Sequence, residues 1–520
     1  MKNAGSPLSK RNILIITAIM LLAGFLRWLQ LGHASFFFDE FYNVWASKLS
    51  LRGMLREQLA GDHPPLYYLV ARGWYSFSTG EVWTRSLSAI AGMASVAFIY
   101  LTGRELFSQR AGIWAAAFAA ASPLMVWYAR FNTYYSFLIA LTMLSLWLLV
   151  RAAISESRGN WLAYTFAASG LLFTYYFGFA LIAAGWLVYW IISKRRFVSR
   201  WLASQSVLML AAGISYLLSR YAIAESHRFH IPGKREILGL IYELIVSPFI
   251  LLAGQADSAI NTSFTGVPKL HLLMFVAAAL LLIIAYVYTE RFKRLFRNPG
   301  MIVIAAFTFL LVFIPLTLNM VNGGNVSSRF FVWAAPGLFL IIAFINTSLP
   351  ARIGAVTGAL LIVLLAATSI WQIYSVSFGG DYRAIMSTIS SRRSPGDRII
   401  GFPEYSVEIA ADYYLNPPIP VSGGIPSMQD SSAYFLPRGT KWGGYRSRYF
   451  LGSGPTPAVS GAALDGKLAR ETEGAKRLWL VEEEEFPIPE VEKNLGSHWT
   501  EAGRWNFSDT LLVLYDPRTG

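Results

Sequence analysis

The side chains able to do chemistry gather in a few places. The first is FFFDEFYNVW, residues 36–45, where Asp39 and Glu40 stand side by side among six aromatic residues. A carboxylate at such a place can take a proton from a hydroxyl. Aromatic residues just after an apolar run favour the membrane interface, where a carboxylate is costly to desolvate unless it is used or paired. The competing reading is that the pair caps a surface helix. The second place is GDHPPLYYLV, 61–70. Pro64-Pro65 can start a helix but not continue one, which sets Asp62 and His63 at a helix N-terminus. There Asp62 is most simply an N-cap, and His63 is either a hydrogen-bonded structural residue or an acid-base group. The third is a pair of arginines, Arg130 in SPLMVWYARFNTYYSFL (122–138) and Arg329 in NVSSRFFVWAAPG (325–337). Two planar guanidinium forks could hold a phosphate by bidentate contacts, or each could simply snorkel to lipid headgroups. His227 and Arg228, in ESHRFHIPGKRE (225–236), are weaker candidates in a loop that could act as a lid.

The elements that must position these residues are membrane spans. Of 520 residues, 55% are hydrophobic and 14% charged, against about 25% charged in ordinary globular chains. With a mean hydropathy of +0.44, the chain cannot be disordered or a coiled coil, and it reads as a polytopic α-helical membrane protein. Apolar runs lie near 12–31, 83–103, 111–127, 134–151, 161–174, 176–193, 202–221, 270–289, 301–319, 329–348 and 352–373, about eleven spans in all. The net charge of +14 comes from 44 Lys and Arg that fall mostly between these runs, so it marks loops and not a nucleic-acid surface. There is no cysteine, which excludes disulfides and thiolate metal sites.

Basic residues stay on the cytoplasmic side. The segments Lys2 to Arg11, 103–110, 151–160, 194–200, 290–299 and the turn containing Arg352 are all basic and alternate with the others, so the N-terminus is expected inside. The loops 32–82 and 222–269 then face outward, and an odd number of spans carries everything after about 375 outward too. Lys10-Arg11, the apolar run and Gly32-His33-Ala34 also resemble a signal peptide with a cleavage site, but the run is long and is interrupted by Arg27. The expected organisation is a transmembrane domain over 1–374 and an external domain over 375–520. In the latter, RIIGF (398–402), RLWLVEEEE (477–485) and DTLLVLYD (509–516) are β-prone, and 381–393 and 404–415 have helical spacing. That predicts a small α/β domain, with Glu482 to Glu485 as a solvated strand end. No Gly-rich phosphate loop and no H-E-x-x-H motif is present.

These pieces resemble the GT-C class of polytopic glycosyltransferases, most closely the bacterial protein O-mannosyltransferase and aminoarabinose transferase group. The resemblance is carried by the D-E pair after the first span, H-P-P-L-Y before the second, S-P…W-Y-A-R-F-x-x-Y-Y-S-F-L, S-R-F-F…A-P, and DYRAIMSTISSRRSPGDRIIGFP (381–403). It runs from the N-terminus to about 403, and its first loop is the most specific part. It implies a GT-C-like fold, a dolichyl- or undecaprenyl-phosphate sugar as donor, and Asp39 as the catalytic carboxylate. Glu40 and His63 are further catalytic candidates, Arg130 and Arg329 donor-phosphate ligands, and Asp62, Tyr134, Tyr135 and His227 substrate-binding candidates. Many relatives carry another acidic residue where this chain has Asn132 and Thr133, which counts against a two-carboxylate mechanism or a tightly held metal.

One carboxylate suffices chemically. Glycosidases protonate a poor alkoxide leaving group, whereas a polyprenyl phosphate leaves as a stabilised anion. Asp39 would deprotonate an acceptor hydroxyl, the arginines would neutralise the phosphate, and in-line attack would invert the anomeric carbon. No cofactor is then required, and a divalent metal is left open. The expected partners are the polyprenyl-phosphate sugar, membrane lipid, and a hydroxyl acceptor on a protein, lipid A or a polysaccharide. A bacterial inner membrane is the expected setting. The competing functions are a flippase or transporter of lipid-linked saccharides, a glycan ligase or polymerase sharing the donor, and a structural or sensory membrane protein. A transporter would place ionisable residues near mid-membrane, whereas Arg27, Arg85 and Arg220 lie near span ends.

Overall fold

The computed structural model describes residues 9–60, 64–155, 157–193, 196–226, 297–321, 328–375, 380–426, 433–435, 462–483, 489–507 and 510–518. The chain begins with α1 (Lys10–Trp28), α2 (Phe38–Lys48), α3 (Leu51–Ala60), α4 (Leu66–Tyr75), α5 (Glu81–Leu106), α6 (Gln109–Ala121), α7 (Pro123–Tyr128), α8 (Tyr135–Ile154) and α9 (Arg158–Leu172). A 3-10 turn at Tyr176–Gly178 leads into α10 (Phe179–Ser193) and α11 (Val198–Ser226). Next come α12 (Pro299–Val321), a 3-10 helix (Ser328–Ala334), α13 (Ala335–Ser348) and α14 (Ala351–Ser375). The remainder alternates: α15 (Tyr382–Arg392), β1 (Asp397–Phe402), α16 (Glu404–Tyr414), β2 (Val421–Pro426), β3 (Ala433–Phe435), α17 (Ala462–Thr472), β4 (Arg477–Glu483), α18 (Pro489–His498), β5 (Trp499–Phe507) and β6 (Thr510–Pro517). Contacts divide the chain into two compact units, one of Met1–Leu31, Asp62–Trp74 and Trp83–Val376, the other of Gly32–Gly61, Tyr75–Val82 and Ser377–Gly520.

In the first unit, eight described helices are long and apolar enough to cross a membrane: α1, α5, α8, Tyr176–Ser193, Val198–Leu218, Pro299–Leu318, Phe331–Ser348 and α14. The expected span at 111–127 is divided into α6 and α7, because Pro123 supplies no N–H and Ser122 instead caps the new helix through the N–H of Met125 at 3.3 Å. The expected span at 161–174 is α9, whose 15 residues reach only about 22 Å against a hydrocarbon core of about 30 Å. The stretch 270–289 lies outside the described residues. Small residues bring helices together: a Cβ on Gly112 would stand 2.6 Å from the Tyr100 carbonyl, and one on Gly103 2.9 Å from the Gly112 Cα. Arg27, fully buried in the last turn of α1, donates to the carbonyls of Ala120 (3.1 Å) and Ala119 (3.4 Å). Those carbonyls end α6 and have no helical partner, so the cation sits at the negative end of that helix.

The second unit is built on a six-stranded sheet of order β3-β2-β1-β4-β6-β5. β1 is parallel to β2 and β4, while β6 is antiparallel to β4 and β5. Its central strands are apolar on both sides because helices cover both faces. One face packs Ile400, Phe402, Leu478, Leu480 and Val513 with Leu468 of α17 and Val491 and Leu495 of α18. The other packs Ile399, Trp479 and Val481 with Tyr382, Ile385, Met386 and Ile389 of α15 and Val407 and Ala410 of α16. The 398–402, 477–485 and 509–516 runs thus fall on β1, β4 and β6. Into the second face also come Phe36, Phe41, Tyr42 and Val44, far earlier in the chain, each at most 1% exposed.

Candidate active site

Asp39 and Glu40 occupy the first turn of α2, where the positive end of the helix dipole favours carboxylates. The helix opens without a side-chain cap, and Glu40 N–H bonds to the Phe37 carbonyl at 3.0 Å. The aromatic residues around the pair are not an interfacial belt. Phe41 meets Tyr382, Tyr413 and Tyr414 at ring-centre distances of 6.0, 5.5 and 5.6 Å, and Phe36 meets Phe41 edge-on at 5.5 Å. Burying such rings stabilises by about 1.5–3 kcal/mol each, more than an interface offers, so the aromatic face of α2 belongs to the α/β core. Tyr42 Oη donates to the buried Glu57 of α3 at 3.2 Å.

With Phe38, Phe41, Tyr42 and Trp45 on one helical stripe, the two carboxylates diverge. Glu40 is fully buried, whereas Asp39 is half-buried and makes no hydrogen bond or ion pair with a described residue. Asp39 is thus the member of the pair open to a reacting group.

The chain enters and leaves this region through a second polar cluster that sequence reading missed. Glu81 accepts from Arg383 and from the Tyr414 hydroxyl. Burial, then the Glu81 carboxylate, pushes the Tyr414 phenol up, so it stays an O–H donor. The sequence held one signal for this cluster, the D-Y-R triplet opening 381–403, which was read only for resemblance.

In the first unit, Arg130 lies in the turn between α7 and α8. Its terminal nitrogens donate to the carbonyls of Leu29 and, at 3.1 Å, Gln30, just past the end of α1. Burial, and next the neighbouring Arg85, pushes its guanidinium down to about 10, still fully charged at neutral pH. Arg85 donates to the next carbonyl, Leu31, at 2.9 Å. Gln30 itself takes the left-handed conformation, with φ of 54°, that closes a helix C-terminus.

Tyr134 and Tyr135 begin α8, both nearly buried, 4.4 Å apart. Tyr134 faces Tyr67 (6.4 Å) and Tyr175 (6.0 Å), and Tyr175 meets Trp333 edge-on at 5.4 Å. Around these rings the Thr133 and Ser136 hydroxyls and the Trp333 indole N–H are buried and have no hydrogen-bond partner among the described residues. An unpaired buried donor costs about 1–3 kcal/mol. Arg329 is in the Ser328–Ala334 3-10 helix that packs on α8, but its side chain is outside the described residues, as are Asp62, His63 and His227. The structure therefore places Asp39 and Glu40 in one unit and Arg130, Tyr134 and Tyr135 in the other. Among the described residues no three His, Cys, Asp or Glu side chains are grouped to hold a metal ion.

Residues 62–219 match the family described as dolichyl-phosphate-mannose-protein mannosyltransferase. Two solved structures of ArnT from Cupriavidus metallidurans, one apo and one bound to undecaprenyl phosphate, superpose with TM-scores of 0.55 at 13% and 12% identity, each covering 96% of this chain and 97% of the other. The chain has the GT-C fold. The archaeal oligosaccharyltransferase AglB from Archaeoglobus fulgidus gives a TM-score of 0.48 at 12% identity, over 98% of this chain and 74% of its own. No curated protein matches the sequence.

Proposed function

We propose that the chain is an inverting glycosyltransferase that moves a sugar from a polyprenyl-phosphate donor to an acceptor hydroxyl at the outer face of the membrane. The observation that carries this reading is Asp39, a half-buried carboxylate without a partner among the described residues, in a first helical turn beside a fully buried Glu40, on the GT-C fold. The structural neighbour bound to undecaprenyl phosphate supports the donor class. In the reaction the acceptor O–H gives its proton to Asp39 while its oxygen attacks the anomeric carbon. The bond from that carbon to the phosphate oxygen breaks, and the polyprenyl phosphate departs with the electron pair. Attack opposite the leaving group inverts the centre. Arg329 would hold the phosphate; Arg130, while closing α1, adds charge and its remaining N–H donors. The Tyr134–Tyr175–Trp333 rings with the Thr133, Ser136 and Trp333 donors offer what a sugar ring needs, an apolar face and partners for hydroxyls.

The outer-face assignment rests on the alternation of basic segments, with a bacterial inner membrane, an inward N-terminus and an outward α/β unit. The transporter reading gains nothing from the buried arginines, because Arg27 donates to the carbonyls of Ala119 and Ala120 and Arg85 to that of Leu31. The test is a reconstituted assay with undecaprenyl-phosphate sugars. Release of undecaprenyl phosphate coupled to a product of inverted anomeric configuration is expected. Retained configuration, or saccharide movement across the bilayer without release of the phosphate, contradicts the proposal.

A further inference from the structure

Residues 32–35, whose carbonyls lie between α1 and α2, pass through a turn and a bend outside any helix or strand. Three of these carbonyls converge on one side chain. Arg383, in the first turn of α15, donates from Nη2 to the carbonyls of Gly32 (3.0 Å) and Ala34 (3.1 Å) and from Nη1 to that of His33 (3.3 Å), while Nε, 3.3 Å from Oε1, and the same Nη2 meet Glu81. Glu81 is held in turn by the Tyr414 hydroxyl, and Tyr413 Oη donates to the Thr79 carbonyl at 2.9 Å. Ser35 Oγ donates to the Gly380 carbonyl at 3.1 Å, just before the Asp381 cap of α15. All of these groups belong to the second unit.

We propose that Arg383 is a positioning residue for Asp39: by holding the carbonyls of Gly32, His33 and Ala34 it fixes where and at what rotation α2 begins. The assignment deepens the glycosyltransferase reading and rests on it. Apolar packing of Phe41 on Tyr382, Tyr413 and Tyr414 holds α2 against its neighbours, but hydrophobic contact is non-directional and tolerates rotation of the helix about its axis. Hydrogen bonds from a planar fork are directional, and they act five to seven residues before Asp39, in the non-helical segment that leads into α2. The same two helices, α15 and α16, supply both constraints. Glu81, bonded through Nε and Nη2, holds the guanidinium plane against the strap. Lysine at this position could still face Glu81 but could not reach three carbonyls at once.

The experiment uses the full-length protein in lipid nanodiscs and two independent readouts, hydrogen exchange at the amides of residues 32–41 and steady-state transfer from undecaprenyl-phosphate sugar. In Arg383→Ala, exchange should accelerate in 32–41, and kcat should fall by about 10²-fold at unchanged donor KM, the loss expected when a base is displaced by about an ångström. Arg383→Lys keeps the cation opposite Glu81, and should shift both readouts in the same direction by less, so it decides the matter if the alanine variant does not fold. The double exchange Glu81→Arg with Arg383→Glu restores opposite charges without the carbonyl donors, and should not recover kcat. Parental exchange and parental kcat in Arg383→Lys, or full recovery in the double exchange, would reduce Arg383 to an ordinary ion pair. If the unaltered protein shows no transfer from any undecaprenyl-phosphate sugar, the glycosyltransferase reading fails by itself, while the exchange data still decide whether Arg383 fixes the strap.

Discussion

At the scale of single residues, the arginines show how one residue type serves different tasks. Arg27 and Arg130 look alike in sequence, each beside an apolar run, yet both are spent on main-chain carbonyls at helix ends, one on α6 and the other on α1. A hydrogen bond from a charged group to such a carbonyl contributes about 1.5–3 kcal/mol. Arg130→Lys can keep only part of this, so it should lower the melting temperature in detergent, with its main effect on stability. Arg329→Lys should do the reverse, leaving melting unchanged and raising donor KM, because a phosphate clamp needs the planar fork. Thermal unfolding and donor titration of both variants check this. A raised donor KM with parental melting in Arg130→Lys would make the α1 contacts incidental. The sequence marked Arg130 as a residue at a span mouth, but no pattern in it shows which backbone carbonyls a guanidinium will reach.

At the scale of elements, the pairing of β1 with β4 depends on a titratable group. Asp397 and Arg477 form the first register pair of these strands, bonded at 2.9 and 3.1 Å, and the carboxylate also accepts from Trp479 Nε1 and Ser394 N–H, each at 2.9 Å. Burial alone would raise the Asp397 carboxyl, but the bonds from Arg477, Ser394 and Trp479 outweigh it and hold it below the usual carboxylate range. A lowered folded-state pKa stabilises above the unfolded value of about 3.9 and stops doing so as pH falls through the folded one. The second unit should therefore lose stability on acidification below about pH 4. Asp397→Asn should melt lower than the parent at neutral pH yet show a flatter pH dependence; parallel melting curves across the range would contradict the assignment. Much of this level was legible beforehand. β1, β4 and β6 are buried on two faces and so read as continuous apolar runs. β5 was not legible, because it is an edge strand, WTEAGRWNF, with its polar side chains in solvent, nor was the Gly-rich β2. The break at Pro123 and the shortness of α9 were hidden by composition, since an apolar run shows hydrophobicity but not where hydrogen bonding stops. The packing of Phe36 and Phe41 was hidden as well, because an aromatic residue reads the same whether it faces lipid or a core several hundred residues away in sequence.

At the scale of the whole molecule, the membrane spans, the likeness in fold to ArnT and the carboxylate pair act together in one account. Eight described helices are long and apolar enough to cross a membrane, and in the second unit the early helix α2, which carries Asp39 and Glu40, packs its aromatic face into the α/β core. Glu40 is fully buried and Asp39 only half-buried, and this difference makes Asp39 the member of the pair to test. The most direct test is the single-turnover rate of sugar transfer from undecaprenyl-phosphate sugar by purified Asp39→Asn, measured beside the parent at matched folding. Asparagine keeps the shape and removes the basicity, so the account predicts a loss of about 10²–10⁴ in rate with donor binding retained; a parental transfer rate in Asp39→Asn would contradict it.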